Sequence, residues 1–507
     1  MSDAEALVRL GEMIDRAADT TDEKLNDTAI TCSEHLQSRD TLAGESRVLL
    51  HYFRANAFEN RLGLSGEAQS WAWDIPHFEH ILLELRKAVA HEAFGDLNPI
   101  RQCQIFTNLA NRLNAVGRPV EALAHWDRAI AINPRFAMAL ANRGYGLGHY
   151  GNSLYDGGHF ALFMLSSHDS LSAASSKDAE FESPDNYAHK QMFELEARRA
   201  AERVNIDGAR ANLTQEFSLG RSRAERQYRS WCLGNRLFLN PLNDLGDFSI
   251  AAHDVLHLPS LTLGIDESGA EPPVAFGFYN QLKQEFVAAR WLFFEGMTEK
   301  GGHFSDKGNH LYDTLNIPSY SLGTEKTKLA FRMAYSLFDK IAFFINDYFK
   351  VGLGEKEVSF RSIWSERKGH PKPLRTVFDG RRNWSLRGLY WLSKDLYEPT
   401  FQDVAEPEAR GMAHLRNHLE HKYCQVHEDL GIGYSIFATA QNGRGLGFRI
   451  GREELDSKTL HILKLARAAL IYLSLAVHRE EQVGRARGDG ALVVSMPLMT
   501  WNERGRL

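Results

Sequence analysis

The chain has little cysteine and little that marks a secreted or membrane protein. The cysteines are Cys32, Cys103, Cys232 and Cys424, scattered through 507 residues without a Cys-x-x-Cys pair. This spacing excludes a disulfide framework. The first residues lack the basic start and apolar core of a secretory signal, and no run reads as long and apolar enough to span a bilayer. We therefore expect a reducing, cytoplasmic setting and no membrane contact.

Known nucleotide-binding motifs are also missing. The glycine-rich segment Gln441–Gly451, QNGRGLGFRIG, has neither the G-x-G-x-x-G nor the P-loop spacing. We interpret it as a flexible turn, and we expect no cofactor.

Charge is distributed unevenly along the chain. From Lys326 to the end there are 29 lysine and arginine residues against 21 aspartate and glutamate residues, a net charge of +8, while the rest of the chain carries −14. A basic C-terminal region joined to an acidic N-terminal one favours an anionic ligand at the C-terminal end.

One unit of the N-terminal region follows the tetratricopeptide (TPR) repeat pattern. Its repeat positions are Phe106, Leu109, Ala110, Leu113, Gly117, Ala122, Trp126, Ala129 and Pro134. Small alanines are expected where the two helices cross, and proline ends the second helix. A single unit cannot bury its own apolar face, so neighbouring helices are required. We predict a degenerate TPR-like helical solenoid over residues 1–205.

Two further regions follow the array. Residues 206–275 are rich in aromatics and turn residues, and we predict an ordered connector there. Helical periodicity returns in residues 276–507. The predicted helices of that region are Tyr279–Gly296, Thr327–Phe349, Ser385–Leu396, Glu406–Glu428 and Asp456–Glu481.

The helix predicted over Glu406–Glu428 contains an Arg-Asn-x3-His sequence formed by Arg416, Asn417 and His421. Arg-x4-6-His spacing also occurs at Arg86/His91, Arg118/His125 and Arg143/His149, which we interpret as chance. By helical periodicity Asn417 and His421 are neighbours, whereas Arg416 projects roughly 140° from His421. One such helix cannot easily aim both groups at one phosphate, but two helices at a two-fold axis can.

The sequence R-N-x3-H resembles the R-x4-6-H motif of the HEPN superfamily of all-helical domains, many of which are metal-independent ribonucleases. The resemblance implies an all-α C-terminal helix bundle with an active cleft at a homodimer interface. It implies that His421 is the general acid or base, that Arg416 stabilises the phosphorane, and that Asn417 positions the phosphate or orients His421. The expected products carry a 2′,3′-cyclic phosphate and a 5′-hydroxyl.

Supporting and RNA-binding residues are predicted around this motif. Glu295 and Glu420 are candidates for orienting its side chains. Cations interleaved with Trp364 and Phe378 in one loop, and two arginines near the glycine-rich turn, are typical of a single-stranded RNA surface. These predicted RNA-binding residues are Arg367, Lys368, Lys372, Arg375, Arg381, Arg382, Arg444 and Arg449.

Two other functions remain open. His414, His418 and His421 are spaced for one helix face and form an alternative zinc site. A non-catalytic adaptor that binds a protein partner on the TPR-like array is the second alternative. An RNA-cutting toxin or anti-phage effector, regulated by that array, is the role that the resemblance implies.

Overall fold

The computed structural model describes residues 2–39, 41–67, 71–181, 188–262, 274–299, 301–312, 317–366, 373–398, 412, 415–420, 422–428 and 447–487. Of the described residues, 71% are helical, which confirms the all-α prediction. Within the described residues, strands occur as one short parallel pair.

The N-terminal region is a succession of helices that pack against their neighbours along the chain, consistent with the predicted array. The helices are α1 (Asp3–Thr20), α2 (Glu23–Gln37), α3 (Glu45–Leu64), α4 (Pro76–Ala90), α5 (Pro99–Ala115), α6 (Pro119–Ile132), α7 (Ala137–Ser153), α8 (Gly157–Ala174) and α9 (His189–Glu202).

The predicted repeat unit is the α5–α6 pair. Ala110, Ala122 and Ala129 are fully buried where these helices meet, because their small side chains allow the two helices to pack closely. Trp126 is buried against α7 at Gly146, where a side chain would overlap the indole ring.

Helix α8 was not predicted. Its sequence is rich in serine and histidine, and the repeat pattern fades before it begins. Helix α8 packs closely on α7, because α7 presents glycines toward it. A side chain at Gly151 would lie 2.9 Å from the Phe163 Cβ atom, so the two backbones approach closely.

The region predicted as a connector contains α10 (Ile206–Thr214), α11 (Arg223–Gly234) and a 3-10 turn at Pro241–Asp244. Two buried arginines of the C-terminal bundle bind it. Arg467 donates to Asp244 at 2.6 Å and to the Asn240 carbonyl at 2.8 Å. Arg290 binds Asp254 through both terminal nitrogens, at 2.9 and 2.8 Å. These bonds explain why the segment is ordered despite its irregular backbone.

The C-terminal bundle consists of α12 (Val274–Thr298), α13 (Leu322–Tyr348), α14 (Trp384–Tyr397) and α15 (Arg452–Arg487). Helices α12 and α13 pack along each other, and α12, α13 and α14 all contact α15. Strand β1 (Tyr423–His427) pairs in parallel with β2 (Gly447–Gly451).

Helix α15 contains a window, within Arg452–Arg485, that is long and apolar enough to cross a bilayer by length and composition alone, with a hydropathy of 1.6. The sequence was read as having no such run. In the structure 83% of the window is buried inside the protein. Its apolar faces therefore contact the other helices of the bundle, as those of a central core helix do.

Buried polar contacts join the array to the bundle. Asp395 of α14 accepts two hydrogen bonds from Arg86, at 2.6 and 2.8 Å, and also binds Arg118 at the α5–α6 turn. The Trp384 indole donates to the Asn114 carbonyl at 2.8 Å. The array and the bundle thus share one continuous core.

Candidate active site

Arg416 and Asn417 of the motif lie in a helical segment described over residues 415–420. Leu415 is fully buried and anchors it. The prediction of one helix through Glu428 is wrong, because Tyr423–His427 form strand β1. Tyrosine and valine favour strands, and the pairing partner, Gly447–Gly451, is too distant in the sequence for a local periodicity to reveal it.

Arg416 is half-buried and lies over an aromatic ring. Its guanidinium carbon is 5.7 Å from the centroid of Tyr335 on α13, a cation–π geometry. Its Nη1 atom donates to the Asn417 side-chain oxygen at 3.4 Å. Asn417 itself is exposed. The structure therefore brings these two predicted catalytic residues together at the protein surface.

Tyr335 is held by a second tyrosine. Tyr397, at the end of α14, meets it edge to face with ring centroids 6.4 Å apart. Burial raises the pKa of Tyr335 and raises that of Tyr397 well above its usual value. Both phenols stay neutral near pH 7, so the Tyr335 ring supplies a fixed, uncharged surface for the arginine.

Glu420 binds Arg332 of α13. Both carboxylate oxygens accept from this guanidinium at 3.1 Å. Lys328, one helical turn earlier, pairs with Glu325 at 2.7 Å. Lys328, Arg332 and Tyr335 recur at helical spacing, so α13 presents a row of two cations and one aromatic ring to the motif side of the bundle.

The sequence analysis missed Arg332, Tyr335 and Tyr397. A signal existed, because cations at i and i+4 interrupt the otherwise apolar face of α13. Nothing in the sequence, however, connects that face with Arg416.

The remaining catalytic and metal-binding predictions fall partly outside the described residues. His421 and His414 lie there, so the structure gives no geometry for either side chain. His418 is buried, and its ring lies 5.3 Å from that of Phe448 on β2. Among the described residues no three histidine, cysteine or acidic side chains cluster as metal ligands do. Glu295 pairs with Lys326 at 3.4 Å on the α12–α13 contact.

Two arginines of the predicted RNA-binding loop are held within the fold. Arg375 donates to the Ile363 carbonyl at 3.1 Å and pairs with Glu366 at 3.2 Å. Arg381 donates to the Val377 carbonyl at 2.6 Å and pairs with Glu480 of α15. These contacts hold both guanidinium ions within the fold, although the Arg381 side chain is still 32% exposed, and RNA binding by Arg375 and Arg381 stays a prediction.

The two interleaved aromatic residues of this loop are buried and do not stack on RNA bases. Trp364 and Phe378 are 1% and 0% exposed, so neither ring can reach a base. Arg382 is exposed and keeps its assignment. Arg367, Lys368 and Lys372 lie outside the described residues.

Arg449 lies on β2, the strand that pairs with β1. It is exposed and donates to the Gln425 side-chain oxygen at 3.3 Å on the neighbouring strand. Arg444 lies outside the described residues.

The arginines of the three other Arg-x4-6-His pairs form ion pairs within the fold. Arg86 and Arg118 both bind Asp395. Arg143 pairs with Asp127 at 2.7 Å. These contacts agree with the interpretation that their spacing is chance.

The C-terminal region contains a HEPN-superfamily domain, because a HEPN family model matches it. That model is described as LA2681-like HEPN, and its match covers residues 267–480. HEPN domains are in general associated with ribonuclease-type functions. No curated protein and no solved structure matches the chain.

Proposed function

We propose that this protein is a metal-independent endoribonuclease whose catalytic residues are Arg416, Asn417 and His421. The observation that carries the proposal is the placement of the motif. Arg416 and Asn417 meet at the surface of a HEPN-superfamily domain, and the buried Tyr335 ring supports the arginine from below.

The proposed reaction is transfer of a phosphodiester within the RNA strand. The 2′-oxygen attacks the adjacent phosphorus, the bond to the 5′-oxygen breaks, and a 2′,3′-cyclic phosphate and a 5′-hydroxyl result. His421 takes the proton from the 2′-hydroxyl or gives one to the 5′-oxygen, because imidazole titrates near neutral pH. Arg416 stabilises the phosphorane oxygens through charge-assisted hydrogen bonds, and Asn417 positions the phosphate.

We propose that the complete cleft forms between two copies of the chain. Arg416 and His421 project in different directions from one helix, so one copy supplies the arginine and its partner the histidine. An Arg416→Ala and His421→Ala pair of variants tests this arrangement. Each variant alone is expected to be inactive. In an equal mixture about half of the dimers contain one copy of each variant, and each such dimer has one intact cleft, so about a quarter of the activity returns. No restoration would contradict the shared cleft.

The proposed biological role is a toxin or anti-phage effector in which the TPR-like array controls cleavage. Support comes from the buried contacts of the α5–α6 pair with α14, since α14 also carries Tyr397 beside the motif. Through this helix a partner bound to the array has a direct structural route to the active site.

Incubation of labelled single-stranded RNA with the protein in excess EDTA tests the activity. We expect the native protein and a His35→Ala control, which removes an exposed histidine of α2, to cut the RNA. We expect His421→Ala, which loses the general acid–base group, and Arg416→Ala, which loses the cation that stabilises the phosphorane, each to be roughly 100-fold slower or more.

Two outcomes point elsewhere. Activity that appears only after zinc is added favours the alternative histidine site. Absence of cleavage by every variant, together with capture of a protein partner that the motif variants retain, favours the adaptor.

A further inference from the structure

We propose that Tyr320 and Tyr423, together with Gln425 and Arg449, form a stacking subsite for an unpaired RNA base next to the catalytic motif. This inference rests on the proposed ribonuclease function and extends it by naming the substrate class, single-stranded RNA. Arg449 was predicted from the sequence, whereas the other three residues were not.

The two tyrosines are exposed yet fixed in position. Each is 40% exposed, and their hydroxyls form a hydrogen bond with each other. The Ser319 amide donates to the Val426 carbonyl at 2.6 Å, which binds the segment before α13 to β1. Rings already held in place lose little conformational entropy when a base stacks on them.

A chain of hydrogen bonds links the tyrosines to a cation. The Gln425 amide donates to the Tyr423 hydroxyl at 2.9 Å, and Arg449 Nε donates to the Gln425 oxygen at 3.3 Å. The parallel register sets Gln425 opposite Arg449. Strand alternation places Tyr423 on the same face as Gln425. An aromatic pair beside an exposed guanidinium is the combination that binds single-stranded nucleic acid, the ring for the base and the cation for the phosphate.

This face is close to the motif. Residues 421 and 422 are all that separate the helical segment of Arg416 and Asn417 from β1. Three residues of extended chain span at most about 11 Å, which limits the distance between the Glu420 and Tyr423 Cα atoms.

The chemistry of the subsite selects unpaired RNA without selecting its sequence. Every base has a face that stacks on tyrosine, whereas a base in a duplex is already stacked. We therefore expect cleavage within single-stranded loops and ends.

Equilibrium binding tests the subsite separately from catalysis. The His421→Ala variant, which leaves the RNA intact, is titrated with a labelled single strand of about ten nucleotides. Adding Tyr320→Ala and Tyr423→Ala is expected to weaken binding roughly tenfold, the value of one lost stacking contact. Adding Tyr320→Phe and Tyr423→Phe instead keeps both rings but removes the hydroxyl bonds that fix them, so the expected loss is about threefold, clearly smaller than that of the alanine pair.

Strands with one abasic position scanned along the RNA locate the base. When the abasic position coincides with the stacked base, the parent is expected to bind that strand as weakly as the double-alanine variant binds the intact strand. Combining the abasic strand with the double-alanine variant is expected to cause no further loss of affinity. Equal affinity of the alanine and parent variants for every strand overturns the proposal. So does conversion of a dimer to a monomer with unchanged RNA affinity, since the tyrosines would then contact a second copy.

The native protein is assayed for cleavage in parallel, which separates the two proposals. If the native protein cleaves RNA and binding does not depend on the two tyrosines, the subsite proposal is contradicted and the ribonuclease proposal stands. Tyrosine-dependent binding without cleavage supports the subsite and removes the ribonuclease. No RNA binding by the parent variant together with no cleavage by the native protein contradicts both proposals.

Discussion

Gly117 and Gly388 meet backbone to backbone where the array joins the helix bundle. A Cβ atom on Gly388 would lie 2.8 Å from the Gly117 carbonyl carbon, and one on Gly117 would lie 2.8 Å from the Gly388 nitrogen. Gly117 also has a φ of +91° at the α5–α6 turn, a conformation that favours glycine. The turn of the repeat unit therefore lies directly on α14.

Gly388→Ala is expected to destabilise the protein by about 3 kcal/mol, because the backbone of the α5–α6 turn cannot move away as a flexible side chain would. Denaturant unfolding measures the change. Gly484→Ala is the matched control, since it is also helical but has no atom within 4 Å of its added Cβ. The control should be neutral or stabilising by about 0.5 kcal/mol. Equal effects of the two substitutions would show that the contact is absent.

Asp395→Asn is expected to cost about 3 kcal/mol of folding stability, because it removes the buried negative charge that both Arg86 and Arg118 bind, while Arg118 keeps its pair with Glu121. The two arginine side chains are 10% and 4% exposed. Asp169→Asn is the comparison, since it breaks the exposed pair with Arg210, in which the side chains are 41% and 50% exposed. That variant should lose less than about 1 kcal/mol. A similar small loss for Asp395→Asn would contradict the buried junction.

His125 is expected to make the protein sensitive to mild acid. Burial, helped by the charges of Arg128, Arg86 and Arg118, lowers the pKa of His125 to about 3. The unfolded imidazole titrates near 6.5. As the pH falls below 6.5, the unfolded chain therefore binds a proton that the folded chain does not, and stability declines until the pH reaches about 3.

His125→Phe isolates this contribution, because the new ring can keep the stacking on Phe106. Between pH 6.5 and pH 5 the native protein should lose about 2 kcal/mol more stability than the variant. Parallel stability curves for the two proteins over this interval would show that His125 does not resist protonation.

Tyr335→Ala is expected to lower kcat roughly tenfold, because Arg416 loses the ring over which it lies. KM should change little, since Tyr335 is 4% exposed and does not reach the RNA. Tyr335→Phe keeps the ring and should keep kcat within about twofold. The split between kcat and KM, with rescue by phenylalanine, distinguishes a positioning residue from one that merely stabilises the fold. Equal losses for both variants would contradict the cation–π support.

Much of the fold was predictable because its signals are local. The repeat unit at Phe106–Pro134 and the helices near Tyr279, Thr327 and Asp456 follow from periodicity and small-residue placement. Strand β1 was mistaken for helix because its partner lies 24 residues downstream. Helix α8 was missed because the repeat pattern fades before it, and its close packing on the glycines of α7 is a tertiary contact that the local sequence does not show.

The candidate site was predictable only in part. The R-N-x3-H sequence identified Arg416 and Asn417, and the family model confirms the type of domain. Tyr335 and Arg332 come from a helix more than 80 residues away in sequence, so only the packing brings them to the motif. Arg375 and Arg381 show the limit of composition, because a basic loop with aromatics has the same composition whether or not its cations also fix the loop to the core.

Replacing one 2′-hydroxyl of the RNA tests the proposed cleavage mechanism most directly. An RNA strand and the same strand with a single 2′-deoxynucleotide at the mapped cleavage position are incubated with the protein in EDTA. The account predicts that the all-ribose strand is cut to a 2′,3′-cyclic phosphate end and that the substituted strand resists cleavage at that position. Cleavage of the substituted bond, or products with a 5′-phosphate, would contradict the proposed mechanism.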